Sequence, residues 1–569
     1  MTNSEKKEMT VAELPYKRVT KEEAEGYFNT FLQEAEKAKS ADEVIAARNA
    51  LLEGIKKYLT ASSLAYCRFT LNTADEFYKG EMDYYDEINP HVTAFQNKYY
   101  RYMLSSPFRA ELEEKLGALL FKTYEVAVKA HSDEVIPDEQ EENAVVTEYA
   151  QLMSGMQFDW DGKKIPLSVL RGKLEDKDRA VRKAAAEAIG RGLEAHAEEL
   201  DGIYDRLVKI RDRIAKKMGY RDFTELGYYR MGRTGYNREM VEAFRANVAA
   251  DIVPAVTKLK ENAARELGID RVMFYDNDVY TSEGNPTFDL TPDEAFAAAK
   301  EMYHEMDPEI GAFMDFMLRT QAFDVVAREG KWGGGYCTEF IGYDQQFILA
   351  NFNGTTGDAD VLTHEFGHAY AMHASEEAGV DIELGIGGME TAECHSMSME
   401  FLCWPYMEKF FKEGAGAYRY KHLADSFSFI PYGCIVDEFQ HIVYEHPEYT
   451  PAQRNEAYLA LEKKYRPHLS YEGIPYLEKG TRWQFQMHIY ETPFYYIDYC
   501  LAQTVALGFL LKSRENARDA LEKYKQFAKA GGSLPFSELV KRAEIPYPFG
   551  KGTLKKLAEG IEKTLATIR

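Results

Sequence analysis

Cysteine is scarce in this chain of 569 residues: there are six, and no two stand in a C-x-x-C pair. That excludes a disulfide-stapled scaffold and a cysteine-rich zinc module. Cys67, Cys337, Cys394, Cys403, Cys434 and Cys500 lie mostly in apolar or aromatic surroundings and read as buried thiols of a cytoplasmic protein. No stretch of about 18 uncharged apolar residues occurs, so no membrane span is expected. Residues 1–14 are polar and charged with no apolar stretch among them, so no secretion signal is expected either. Positive charge is also in deficit. Against 93 Asp and Glu stand 69 Lys and Arg, a net charge of -24, which repels phosphate backbones and anionic lipid surfaces. Nucleic acid and membranes are therefore not expected partners.

What is present is material for a large core: 45% apolar and 28% charged residues. The first third reads as helix after helix, with Glu, Lys, Ala and Leu at helical spacing and little β-branched alternation. An acidic run over residues 133–142 containing Pro137 reads as a solvated loop. Asp161-Gly162 between short apolar arms is a two-residue hairpin signal. Leu193, Leu200, Ile203, Tyr204, Leu207, Ile210 and Ile214 form a helical seam that Gly219 ends. Thr291, Pro292 and Glu294 announce a helix start with a capping box. Strand signal is confined to residues 331–354, where a glycine triplet leads to GYCTEFIGYD and then to an extended segment over residues 347–352.

Directly after that segment comes His364-Glu365-Phe366-Gly367-His368, an H-E-x-x-H motif inside a helical stretch over residues 358–378. Residues four apart on an α-helix are offset by about 40°, so both imidazoles face one way and can share a zinc ion, with Glu365 beside them as a base for water. Two imidazoles do not complete a zinc site. The metzincin pattern fails, because Ala371 and Ala374 occupy the positions of its glycine and third histidine. His373 lies about 180° around the helix from His364 and reads as structural. A carboxylate from a second helix remains. Residues 389–406 read as helical and carry Glu390, Glu393 and Glu400; Glu393 and Glu400 share a face to within about 20°, with Glu390 about 60° away. Acids on a face that also carries Met397, Phe401 and Trp404 need a partner, which a cation would supply.

A second polar cluster lies in RWQFQMHIYETPFYYIDY. Thr492 and Pro493 read as N-cap and first residue of a helix, placing His488 in the loop before it and Tyr495, Tyr496 and Tyr499 in its first two turns, with Tyr496 and Tyr499 on one face. At a zinc site, such an imidazole and hydroxyls could donate hydrogen bonds to the oxyanion of a tetrahedral intermediate.

HEFGHAYAMH, followed 29 positions after His364 by Glu393 within ETAECHSMSMEF, and then HIYETPFYYIDY, resembles the M3 family of zinc oligopeptidases, in particular its oligoendopeptidase F branch. The likeness extends from about Leu174 to the C-terminus. It implies a mainly α, two-lobed fold like that of neurolysin, a zincin with a deep central channel and a small β-sheet near the zinc. An N-terminal helical region would span residues 1–173 and the catalytic region residues 174–569. The resemblance implies one Zn2+ held by His364, His368 and Glu393, with Glu365 as general base and His488, Tyr496 and Tyr499 as transition-state donors. Tyr490 or Tyr495 could take one of the tyrosine roles. It also implies that residues 347–352 form the strand whose free edge pairs with an extended substrate, β-augmentation that holds a peptide without reading its side chains.

The reading is a cytoplasmic zinc metallo-endopeptidase that cuts short unfolded oligopeptides; a monomer is compatible with it. A peptidyl-dipeptidase and a non-catalytic peptide-binding protein are the alternatives. An aminopeptidase fits poorly, since Gly387-Gly388-Met389-Glu390-Thr391, the nearest likeness to G-x-M-E-N, follows the zinc motif instead of preceding it.

Overall fold

Helices make up most of the chain in a computed structural model that describes residues 9–568. Residues 1–8, the larger part of the stretch where no secretion signal is expected, lie outside the described residues. No described helix is long and apolar enough to cross a membrane. The six cysteines are all free thiols, five of them buried.

Local signals hold where the chemistry that satisfies them is itself local. Thr291 and Glu294 cap each other at the start of helix Pro292–Met306, with Glu294 N on Thr291 Oγ1 at 3.3 Å and Thr291 N on the Glu294 carboxylate at 2.9 Å. Strands Phe158–Trp160 and Lys163–Ile165 pair antiparallel around Asp161-Gly162, whose φ values of 49° and 72° suit the tight hairpin. The apolar seam falls on helices Arg179–Glu194 and Ala197–Lys217, and Gly219 takes φ 85° just beyond.

Residues 133–142 are not a loop. Pro137 stands in the first turn of helix Ile136–Gly155, where its missing N–H costs nothing, and Asp138 and Glu142 are buried. Asp138 binds Arg213 at 2.7 Å and Lys217 at 2.6 Å; Glu142 binds Arg211 at 2.6 Å and Arg230 at 2.8 Å. Asp138 and Glu142 are thus paired cross-links between helices, while Asp133, Glu134 and Glu141 remain exposed.

Helices from both ends of the chain share one core, which runs from Val11 to Leu565, and the N-terminal helices hold a second cluster around Phe28, Phe31, Tyr99 and Tyr124. The small sheet beside the zinc motif has three strands in the order Phe323–Val326, Gln345–Phe352, Tyr336–Phe340, the first pair parallel and the second antiparallel. This corrects the expectation for residues 347–352. They belong to the central strand, where Ile348 pairs with Phe323 on one side and Cys337 on the other. The run Gln345–Ala350 is buried on both faces, as a central strand requires. The edge strands are Phe323–Val326 and Tyr336–Phe340.

The central strand feeds directly into the motif helix, Gly357–Glu377. Asp358 fixes the junction by accepting from the backbone N–H groups of Asn353 and Gly354 at 2.9 and 2.7 Å. Three further helices surround the motif: the glutamate helix Met389–Leu402, the long helix Ala415–Glu445 and the tyrosine helix Tyr496–Glu515.

Candidate active site

Gly367, in the middle of HEFGH, lets the motif helix lie against the glutamate helix. A methyl group in its place would sit 2.7 Å from Ser396 Cα and 2.8 Å from the His395 carbonyl oxygen, so only glycine permits this approach. The close crossing brings Glu393 to the two imidazoles. Its Oε2 lies 3.3 Å from His364 Nε2 and 3.5 Å from His368 Nε2, and one donor atom from each of the three residues falls within 4.8 Å of the others. Tetrahedral zinc with bonds of about 2.0–2.1 Å needs donor separations of about 3.3 Å, so the three side chains fit that ion.

The other two candidate carboxylates are distributed around this centre. Glu400 lies behind His364, with Oε1 2.7 Å from Nδ1 and Oε2 2.7 Å from His422 Nε2. Trp404 Nε1 donates to His422 Nδ1 at 2.9 Å, so His422 carries its proton on Nε2 and donates to Glu400. A carboxylate only accepts, so Glu400 holds the His364 proton on Nδ1 and leaves the Nε2 lone pair free for a metal. Glu390 points elsewhere. Burial, and then the neighbouring Asp498, raise it to about 7, with Arg233 opposing.

Electrostatics match a cation site. Burial disfavours charge on His364, but Glu393 and Glu400 overcome it and push its pKa well above the usual histidine range. Glu393 also receives a hydrogen bond from Ser396 Oγ at 3.1 Å on Oε2 and one from Tyr495 OH at 2.6 Å on Oε1. Burial lifts the Glu365 carboxyl above the ordinary glutamate range against the pull of His364 and His368. Cys337, on the edge strand Tyr336–Phe340, is pushed up by burial and then by the nearby Glu365 charge. His373 stacks on Phe313, with ring centroids 4.4 Å apart, clear of the centre.

The second cluster reaches the same place, with its local geometry revised. His488 is in the first turn of a short helix, Met487–Glu491, and not in a loop. Pro493 does not begin a helix. Phe494 takes φ 69°, and the tyrosine helix starts at Tyr496, with Tyr495 just before it. Distant elements impose this turn: Gln440 accepts from Phe494 N at 2.9 Å, and Arg233 donates to the Phe494 carbonyl and, at 3.1 Å, to Asp498. The left-handed backbone at a non-glycine residue is a strained feature beside the site. Tyr495, Tyr496 and Tyr499 all pack around the His488 ring, at centroid distances of 5.8, 4.9 and 5.9 Å. Tyr496 and Tyr499 do share a face, but they look toward different groups. Burial raises the Tyr499 hydroxyl, and the Glu393 and Glu365 carboxylates add to this; burial also raises Tyr496, followed by Tyr432, with Arg482 opposing.

His422, Ser396 and Gln486, which bonds to His488, carry no motif that announces them. His422 is one of two histidines in the helix Ala415–Glu445, and nothing in its sequence surroundings sets it apart from His441. Nearby, a cavity of about 770 Å³ opens between N-terminal helices and the catalytic elements, bordered by Thr93, Thr123, Glu390, Glu491 and Thr492.

Comparison with known proteins places this architecture. The family profile described as "Peptidase family M3" matches residues 173–559, and "Peptidase M3 N-terminal domain" matches residues 11–131. No curated protein matches at a significant level. Among solved structures, PZ peptidase A with an inhibitor is 42% identical, with a TM-score of 0.94 over 98% of this chain and 99% of that one. A Bacillus anthracis str. Ames protein assigned as oligoendopeptidase F is 41% identical, with a TM-score of 0.90 over 98% of both chains. The oligoendopeptidase-F of Enterococcus faecium, at 18% identity and a TM-score of 0.61 over 96% of this chain and 97% of that one, shares the fold. The chain belongs to peptidase family M3, on its oligoendopeptidase F branch, and is a metallopeptidase.

Proposed function

We propose that this chain is a zinc endopeptidase that hydrolyses internal bonds of short, unfolded peptides, using one zinc ion held by His364, His368 and Glu393. The carrying observation is the placement of Glu393 Oε2 at 3.3 and 3.5 Å from the two Nε2 atoms, a donor set of the two-histidine, one-glutamate kind used by catalytic zinc. Such an ion polarises the scissile carbonyl and acidifies water to a pKa of about 7.

The chain's own residues do the rest. Glu365, buried and close enough to His364 and His368 to feel their charges, takes the proton of the attacking water and returns it to the leaving amine. Tyr499 and His488 donate to the oxyanion. Tyr495 steadies Glu393 through its hydroxyl. Tyr496, expected to be a donor, packs its ring 4.9 Å from that of His488 and 5.8 Å from that of Tyr432, and is assigned the support of the His488 ring. The edge strand Tyr336–Phe340, with Cys337 beside Glu365, is the one that would accept an extended peptide by main-chain pairing. Backbone recognition favours broad sequence tolerance. Six free thiols fit a reducing cytoplasm.

Mass spectrometry of peptides blocked at both ends, digested with and without a chelator, tests this reading. Internal cuts that vanish with chelator and return with zinc are expected. Intact blocked peptides alongside trimmed unblocked ones would replace it with an exopeptidase.

A further inference from the structure

A hydrogen-bonded chain behind His488 goes beyond the ligand set and the base. Arg482, in the turn Arg482–Phe485, donates from a terminal nitrogen to the Tyr432 hydroxyl. The Tyr432 hydroxyl lies 2.5 Å from Gln486 Oε1, and Gln486 Nε2 lies 2.9 Å from His488 Nδ1. Tyr432 comes from the long helix, so the chain joins two separate elements.

Each link has one direction. A guanidinium has no acceptor, so the Tyr432 hydroxyl accepts a hydrogen bond from Arg482 and donates its own hydrogen to Gln486. Only the carbonyl end of the Gln486 amide can take it. Turning the amide around would set its hydrogens against the Tyr432 proton. With the carbonyl toward Tyr432, the amide N–H faces His488 Nδ1, which must then accept. A neutral imidazole that accepts at Nδ1 carries its proton on Nε2.

We propose that Gln486, oriented by Tyr432 and Arg482, is a positioning residue that holds His488 in the Nε2-protonated tautomer, so that His488 donates to the oxyanion as a neutral group. This rests on the reading of His488 as an oxyanion donor. The burial of the ring agrees with it: His488 is pushed down to about 4, with Glu393 pulling the other way. At neutral pH the imidazole is uncharged, and a neutral imidazole has a single N–H, so the tautomer decides whether it donates or accepts. The groups around it are the three tyrosine rings, the Glu393 charge and the Gln486 amide. None of the other groups fixes the Nδ1 side.

The test uses zinc-loaded enzyme and the variants Gln486→Glu and Gln486→Met. A glutamate at 486 accepts a proton from Nδ1. At low pH the imidazolium still donates from Nε2. As pH rises through the elevated pKa of that pair, the remaining proton stays on Nδ1 and Nε2 becomes bare. The expected result for Gln486→Glu is a new basic limb on kcat, falling about 100-fold as for loss of one oxyanion donor, at nearly constant KM and reversed by returning to lower pH. Gln486→Met lowers kcat without adding such a limb. A merely structural role would not create a pH limb that one isosteric variant has and the other lacks. Independently, nitrogen NMR of histidine-labelled wild-type enzyme, with His488 identified by comparison with His488→Gln, should show the proton on Nε2. A proton on Nδ1, or a Gln486→Glu pH profile matching wild type, overturns the proposal. If instead the proton is on Nε2 and His488→Gln turns over normally, the positioning stands and the oxyanion role of His488 falls.

Discussion

Glu365→Gln is expected to bind zinc at the wild-type stoichiometry, to melt at the wild-type temperature or slightly above, and to lose about 1000-fold or more in kcat. The three parts of that result follow from one placement. The donor set is complete without Glu365, so metal content should not move. The side chain is buried and its carboxyl is already pushed toward the protonated form, so a neutral isostere removes a buried charge and leaves packing untouched. What disappears is the group that takes the proton from water, and general base catalysis supplies about 10²–10⁴ in rate. KM should be nearly constant, because the lost interaction exists only along the reaction path. Turnover within tenfold of wild type in the metal-loaded variant would contradict the role given to Glu365.

Glu393→Ala is expected to abolish both metal binding and turnover, and it is best measured beside Glu400→Gln. Glu400 touches the outer nitrogen of His364, and loss of an outer partner of this kind costs about 10–100-fold in metal affinity. Loss of Glu393 leaves two imidazoles and no charge-neutralising oxygen, so its affinity should fall well beyond that range. Removing the carboxylate also leaves the half-buried Tyr495 hydroxyl without this acceptor, at about 1–3 kcal/mol, whereas Ser396 Oγ keeps the backbone carbonyl of residue 393 at 3.0 Å. The melting temperature of the apoprotein should therefore drop modestly while the fold survives. Equilibrium dialysis against a zinc buffer separates the two variants. Equal affinities would mean that Glu393 and Glu400 had been given each other's place.

That distinction shows where a sequence stops being legible. Helical geometry fixes angles within one helix, so HEFGH already turns both imidazoles to one side, and Glu393 and Glu400 already share a face. Seven residues also separate those acids by about 10.5 Å along the axis, and only the crossing of the two helices decides which of them meets Nε2 and which meets Nδ1. Without the family resemblance, the residues left that choice open. The crossing depends on Gly367, whose lack of a side chain has meaning only against Ser396 and His395. Where local and distant forces compete, distant ones win. Thr492-Pro493 has the composition of a helix start, yet Arg233 and Gln440 hold Phe494 in a left-handed turn and delay the helix to Tyr496. The acidic run over residues 133–142 looks solvated until Arg211, Arg213, Lys217 and Arg230 arrive from helices far along the chain. The strand over residues 347–352 was readable as a strand. Its central position was not, because the pairing of Phe323–Val326 with it depends on a short segment with little pattern of its own.

A crystal of the zinc-replete enzyme, with diffraction recorded on both sides of the zinc absorption edge, bears most directly on the account. One anomalous peak within about 2.0–2.2 Å of His364 Nε2, His368 Nε2 and a Glu393 oxygen, with Glu400 outside the coordination sphere, is the expected result. A peak bound by Glu400 in place of Glu393, or no peak among these three side chains in zinc-saturated crystals, would contradict it.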